Sequence, residues 1–401
     1  MKHQTVAVIG AGVAGLHTAC RLAQAGFSVT VLDAAAGPCS GASGNPAGAF
    51  HAHLSRDDMP LSRLSRWGVQ STIHSLEMLT NEGLLVRGSD WDCSGHLQLF
   101  DSEQDELRMR DALARHPTLA AQIHVLSVSD IEARTGLRPK LGGLLFDNAG
   151  WVKPERWCAA LLEQTKHRVE VNRLFPVQFQ WNTCVQTVDV SCPSEPKVLS
   201  DGPVGKKTQR FDKVVVASAT ESLLVRPVAH AKSNAVKGQI SYVRTDRLLP
   251  HVLSGAAYVI QKGDSEWLIG ATFERDQPDT RVTDEGHQLN LTRLKNAFDD
   301  YSPGEVTGGR SSLRAIWPDR MPAIGPVIDE QGNLLPSVMM ATGFGSRGLS
   351  WCALAAELIC CRWLGLSSPL PQALEAAVLP GRFFSRASNS KPTLPSLPIT
   401  R

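Results

Sequence analysis

The stretch Thr5–Gly15, TVAVIGAGVAG, constrains the fold of this chain more than any other. An apolar strand-forming run ends at Ile9, and glycines follow at positions 10, 12 and 15. A helical pattern over Ala14–Ala25 and a second strand over Ser28–Leu32 complete a βαβ unit. Gly10 makes the tight turn, Gly12 lets the backbone approach a pyrophosphate, and Gly15 lets the helix pack on the strand. Val13 and Ala14 stand at the start of the helix, whose free N–H groups and positive dipole end favour phosphate. Asp33 closes the second strand, 18 residues beyond Gly15. A carboxylate there accepts from a ribose 2′-OH and repels a 2′-phosphate, so the pattern points to a dinucleotide other than NADP. The motif alone leaves NAD and FAD open.

The next segment of chain tips the balance towards FAD. The loop GPCSGASGNPAGAF (Gly37–Phe50) is long, small-residued and less polar than a surface linker. Ala42, Ser43, Gly44, Asn45 and Gly48 are placed to lie along an extended ligand. A second strand–glycine–helix junction occurs at MMATGFGSRGLSWCALAAELI (Met339–Ile359). There Gly343, Gly345, Ser346, Arg347, Gly348 and Leu349 can direct helix N–H groups and a cation at a flavin, whose reduction develops negative charge. KVVVASAT (Lys213–Thr220) reads as a buried parallel strand.

A length of 401 residues suggests about two domains. A net charge of +2 gives no global case for a dedicated nucleic-acid binder. Nine scattered cysteines with no CxxC pair fit reduced thiols and a cytoplasmic protein. Neither a basic-then-apolar leader nor a membrane-length apolar run is expected; Val338–Leu364 comes closest and is interrupted by charges. Further helices are expected over Glu155–Gln164, after Pro154, and over Gln288–Asp299 and Trp351–Leu364, with strands over His167–Val171, Thr183–Val190 and Ser337–Ala341. Alternation over Ala235–Arg244, His251–Ile260 and Glu266–Thr272 reads as antiparallel strands. The expected class is α/β, mixed α+β: a Rossmann-like FAD-binding domain built from discontinuous segments (1–90, 146–232, 311–385) with an inserted antiparallel-sheet substrate domain (91–145, 233–310) and a disordered tail (386–401).

GAGVAG with Asp33, GASGNPAG, GLLFDNAGWVKPERWCAALL and RAIWPDRMPAIGPV…ATGFGSRGLSWCALAAELI together resemble the D-amino-acid oxidase/glycine oxidase superfamily of flavoproteins. Within it they are most similar to the FAD-dependent oxidoreductase half of the bifunctional family that makes 5-methylaminomethyl-2-thiouridine in tRNA. The resemblance implies non-covalent FAD, a two-domain fold and oxidation of a secondary amine. In that family the carboxymethylaminomethyl group of wobble uridine 34 loses its glycine-derived arm as glyoxylate. The resemblance also implies a methyltransferase, expected on a separate protein or absent. FHAHLS after the GASGNPAGA loop departs from the family pattern, in which an aromatic residue and a lysine are expected near His51 and His53.

Flavin amine oxidation requires the amine neutral, its C–H held at the flavin and any carboxylate fixed. An arginine fork suits the carboxylate. Arg314 occupies the family's place for it, Arg347 is the second candidate, and Arg320 reads as solvated. Trp151 is placed either to wall the site or to fill the core. His51 and His53 would share one strand face, but a third ligand is not evident and no metal is expected. Three functions stay open: a tRNA wobble-uridine oxidoreductase; an oxidase or dehydrogenase of a free small amino acid such as glycine, sarcosine or a D-amino acid; and a non-catalytic FAD- or tRNA-binding protein.

Overall fold

The computed structural model describes residues 4–383 apart from 221–224, 227–233, 276, 278, 300 and 330. The tail expected over 386–401 lies outside the described residues.

The strand Thr5–Ile9 pairs in parallel with Ser28–Leu32 on one side and with Lys213–Val216 on the other. Leu334–Thr342 adds in parallel beside Lys213–Val216, and Gln178–Gln180 beside Ser28–Leu32. Ala323–Ile328 closes the remaining edge, antiparallel to Leu334–Thr342. These strands are near-continuous apolar runs because both sheet faces are covered. On one face lie the helices Val13–Gln24, Pro154–Val171 and Gly348–Leu364. The last is apolar nearly all round, with Trp351, Leu354, Ala355 and Cys360 buried, because the helix Pro60–Asn81 covers its other side. Gly68 permits that approach: a Cβ there would overlap the Ser350 carbonyl oxygen. On the opposite face, Val185, Val188 and Val198 of a small antiparallel sheet meet Ala7, Ile9, Val214 and Val216.

A second sheet is centred on Asn234–Arg244, which pairs antiparallel with both Val306–Ile316 and Glu266–Gly270. Tyr258–Lys262 and Val252–Gly255 continue it. His96–Leu99 then joins in parallel, followed by Gly143–Phe146 and Ile123–Leu126. Two stretches distant in sequence therefore share one sheet. Trp267, fully buried, packs among Leu294, Ala297 and Phe298, on and just after the covering helix Asp284–Ala297. Val306–Ile316 continues through position 311, so one strand spans the junction between the two expected domains.

Two expected elements differ: the one strand expected over His251–Ile260 is two, Val252–Gly255 and Tyr258–Lys262, paired antiparallel across a turn. Residues expected as a strand over His167–Val171 form the last turns of the helix Pro154–Val171. The order H-R-V-E-V alternates like a strand, but Val169 continues the buried stripe of Trp157, Ala160, Leu161 and Thr165, so the helical period wins. Pro154 takes the first turn, where its missing N–H costs nothing. The helices Pro60–Asn81, Glu103–Arg115 and Val128–Thr135 fill stretches the sequence pattern left unassigned. Among the described residues, no helix is long and apolar enough to cross a membrane.

Candidate active site

Because the central strands are parallel, Gly10, Asp33, Ala217 and Gly343 emerge from the same sheet edge, and they line one cleft. Gly10 has φ +106°, and a Cβ there would stand 2.6 Å from the Ala217 carbonyl oxygen. Gly15 does not line the cleft; it lies in the helix, where a Cβ would overlap the Gly10 carbonyl oxygen. Gly12 caps the helix with extended backbone and no side-chain bond. The Val13 N–H donates to Ser43 Oγ at 3.0 Å, so a hydroxyl from the second loop sits at the helix N-terminus. Ala14 and Ala42 complete this wall.

Asp33 lines the cleft and also organises it. Its Oδ2 accepts from the Ala11 N–H at 2.6 Å and its Oδ1 from the Ala35 N–H at 2.8 Å. Each carboxylate oxygen has two acceptor positions, so capacity for a hydroxyl donor remains. The acid is thus a brace for the glycine turn as well as the candidate ribose contact.

The second glycine cluster meets the first. Gly343 (φ +74°) leaves room for the Trp317 indole, which a Cβ would overlap. The Gly345 N–H donates to the Ala315 carbonyl at 2.9 Å, and Gly348 opens the following helix at the cleft. Ser346 is exposed and, like Leu349, does not line the cleft. Leu349 packs on Gly48, where a Cβ would stand 2.5 Å from Leu349 Cδ1. Gly44 and Asn45 are likewise outside the lining. Arg310 of the strand Val306–Ile316 holds that segment: it donates to Asn45 Oδ1 at 3.0 Å, to the Ser40 carbonyl at 2.8 Å, and to the Gly41 carbonyl. Its guanidinium fills the space a Cβ on Gly44 would need. Sequence reasoning missed Arg310; its even spacing from Arg314, which puts both on one face of a strand, was the available signal.

Arg314 lines the same cleft and has neither ion pair nor hydrogen bond among the described residues. Burial pushes its pKa below the ordinary arginine value, with the Tyr258 phenol acting in the opposite direction. An enclosed cation without a partner is costly, and an anionic ligand in the cleft removes that cost. Gly238 on the paired strand clears its place, since a Cβ would overlap the guanidinium. Arg347 caps the helix Gly348–Leu364 with its guanidinium 5.9 Å from the Trp351 ring centroid, and its Nε is buried without a partner among the described residues. Burial, and then Arg320, pushes its pKa down.

The strand expected to carry both His51 and His53 ends at Phe50. His51 instead stacks on His96, with ring centroids 4.0 Å apart. Its Nδ1 lies 2.9 Å from the Ala52 carbonyl oxygen, which can only accept, so Nδ1 carries the proton and Nε2 is left as an acceptor. Burial, and then Arg347 and His53, brings the His51 pKa down to about 4. His53 is lowered to about 4 by burial and by Arg347, Arg108 and Arg320. His96, which sequence reasoning also missed, bonds Ser254 Oγ at 2.6 Å and lies well below the usual histidine range through burial and the neighbouring His51. Trp151 packs against the cluster of Ile240, Val252 and Leu268, opposite Ala49.

Comparison with known proteins adds three findings. The family described as FAD dependent oxidoreductase (DAO) matches residues 5–362. The tRNA 5-methylaminomethyl-2-thiouridine biosynthesis bifunctional protein MnmC of Burkholderia lata is 32% identical over 409 residues, covering 96% of this chain and 60% of that protein. Its namesake in Burkholderia orbicola is 33% identical over 416 residues, covering 96% and 61%. The chain thus spans about 60% of the length of these curated relatives. Among solved structures, glycine oxidase from Geobacillus kaustophilus superposes with a TM-score of 0.77 at 20% identity, covering 92% of this chain and 97% of that one. L-proline dehydrogenase from P. horikoshii gives 0.75 at 15% identity, covering 96% and 98%.

Proposed function

Since this chain belongs to the DAO family of FAD-dependent oxidoreductases, we propose that it oxidises the carboxymethylaminomethyl group of wobble uridine 34 in tRNA. The cleft fits the cofactor: Gly10 and Gly343, where a Cβ would collide with Ala217 and Trp317, let two strand ends turn closely onto it, and the first turn of the helix beginning at Val13 lines it, which suits a pyrophosphate. Gly10, Gly12, Val13, Ala14, Asp33, Ala42, Ser43, Gly343, Gly345 and Gly348 would hold FAD directly, with Gly15, Gly44, Asn45, Gly48, Ser346 and Leu349 shaping those segments. Bound FAD supplies the two-electron oxidation of a C–N bond, after which water hydrolyses the imine to an aminomethyl group and glyoxylate.

The observation that carries this reading is Arg314, without an ion pair or hydrogen bond among the described residues, in the glycine-lined cleft. Its fork binds the substrate carboxylate and fixes the adjoining CH2–NH unit. The substrate nitrogen must be neutral. Arg314 and Arg347 make the local potential positive, and the imidazoles of His51, His53 and His96 are kept neutral by burial. Proton release from a bound ammonium is thereby favoured. The choice of tRNA rests on the two Burkholderia relatives, whose names specify that pathway.

The test is anaerobic mixing of the holoprotein with tRNA bearing the carboxymethylaminomethyl group and, separately, with glycine, sarcosine and D-alanine. Bleaching of the oxidised flavin band by the tRNA, with glyoxylate released in equal amount, is expected. Bleaching by a free amino acid alone overturns the tRNA reading in favour of a small amino-acid oxidase or dehydrogenase. Bleaching by none points to a non-catalytic FAD- or tRNA-binding protein.

A further inference from the structure

A second cleft, of about 530 Å³, lies away from the glycine loops. One wall is a single face of the helix Pro60–Asn81, with Arg63, Arg66, Trp67, Gln70 and His74 following each other at helical spacing. Gln122 and Asn148 stand on the other wall. None of the polar groups of Arg63, Gln70, His74, Gln122 and Asn148 has a side-chain hydrogen bond among the described residues. Arg66 grips Asp58 with Nη2 at 2.7 and 2.9 Å, while its Nη1 is buried without a partner. Trp67 keeps 38% of its surface exposed. Cations lie towards the start of the helix face, and Glu77 lies at its far end.

That set matches a nucleotide: an aromatic face for a base, amides for its edge, and a guanidinium group for a phosphate, which the Glu77 end repels. The cleft also reaches the His51–His53 segment. Ala52, between His51 and His53, lines it, and Phe146 meets both the cleft and the His51 ring, 6.3 Å away between centroids. The His53 N–H donates to Ser65 Oγ at 2.7 Å, fixing this chain segment against the same helix.

We propose that this cleft seats a nucleotide flanking the modified base of the RNA substrate. Its base stacks on Trp67, Gln70, Gln122 and Asn148 bond its edge, and Arg63 holds its phosphate. This assignment rests on the tRNA reading of the active site and deepens it by naming where the anticodon loop grips outside the cofactor cleft.

The test measures binding of the carboxymethylaminomethyl-bearing tRNA to FAD-loaded protein by fluorescence anisotropy, across a salt series. Trp67→Ala is expected to weaken binding about 5- to 150-fold, the worth of one stacked base. Arg63→Gln is expected to lower the slope of log Kd against log salt by about 0.7, the value for one phosphate of a single strand, a change that loss of packing does not mimic. Gln122→Ala, at an exposed position, provides a third variant that leaves the helix untouched and is expected to weaken binding several-fold. Should wild-type protein oxidise the tRNA while all three variants bind it with unchanged affinity and salt slope, the cleft assignment is refuted and the tRNA reading stands. If wild-type protein neither binds nor oxidises the tRNA, both fall.

Discussion

Arg310 offers the sharpest test of how the loop proposed to hold the cofactor is kept in place. It reaches from the antiparallel sheet to three acceptors on the loop that carries Ser43: the Ser40 and Gly41 carbonyls and Asn45 Oδ1. Arg310 is half-buried, so each bond is taken at about 1 kcal/mol net, near the middle of the range for hydrogen bonds in proteins. Arg310→Ala then removes about 2–3 kcal/mol from the closed loop. If FAD binding needs that loop closed, its Kd rises about 30- to 150-fold. Arg310→Lys has one ammonium group where the fork reached three acceptors, so it should recover part of the loss. The assay is the rise in free-flavin fluorescence on dilution of the holoprotein, with apoprotein thermal unfolding measured alongside. A Kd for Arg310→Ala within threefold of wild type, with the unfolding temperature unchanged, would show that the loop is held without the guanidinium and refute the reasoning.

Three further outcomes are expected. Gly10→Ala forces a side chain onto φ +106° and against the Ala217 carbonyl, so it should lose about 2–4 kcal/mol of stability and most of its bound FAD, read by urea unfolding and visible absorbance. Arg314→Ala should lower kcat/KM for the carboxylate-bearing substrate about 30- to 1000-fold while FAD content stays at the wild-type level; an unchanged KM and kcat would place the carboxylate elsewhere. His17, 4% exposed, is lowered to about 4 by burial, against the raising effect of its bond to the Val13 carbonyl. The unfolded chain therefore binds a proton below about pH 6.5 that the native state refuses until about pH 4, so stability falls as pH falls through that window. From pH 6.5 to 4.5 this residue alone costs about 2 kcal/mol, and His17→Leu should flatten the acid limb of the stability profile by that amount.

The βαβ unit was legible because each of its signals is local. An apolar run, a glycine turn and a helical period act over neighbouring residues, and the observed bounds, Thr5–Ile9, Val13–Gln24 and Ser28–Leu32, differ from the expected ones by a residue at most. His167–Val171 was misread because five residues cannot separate a strand period from the end of a helix whose stripe begins thirteen residues earlier, at Pro154.

By itself the sequence determined that two glycine-rich strand ends exist, that each feeds a helix, and that Asp33 ends the strand between them. Only tertiary structure decided that they open on one cleft, because parallel pairing of strands more than 120 residues apart sets their ends level. It also decided that Arg314 stands there without an ion pair or hydrogen bond among the described residues, that Arg310 reaches across to the loop carrying Ser43, that His51 stacks on His96, and that a helix face from Arg63 to His74 lines a second cleft. Those relations depend on distances between separate elements, and no local period in a chain encodes a distance that packing alone establishes.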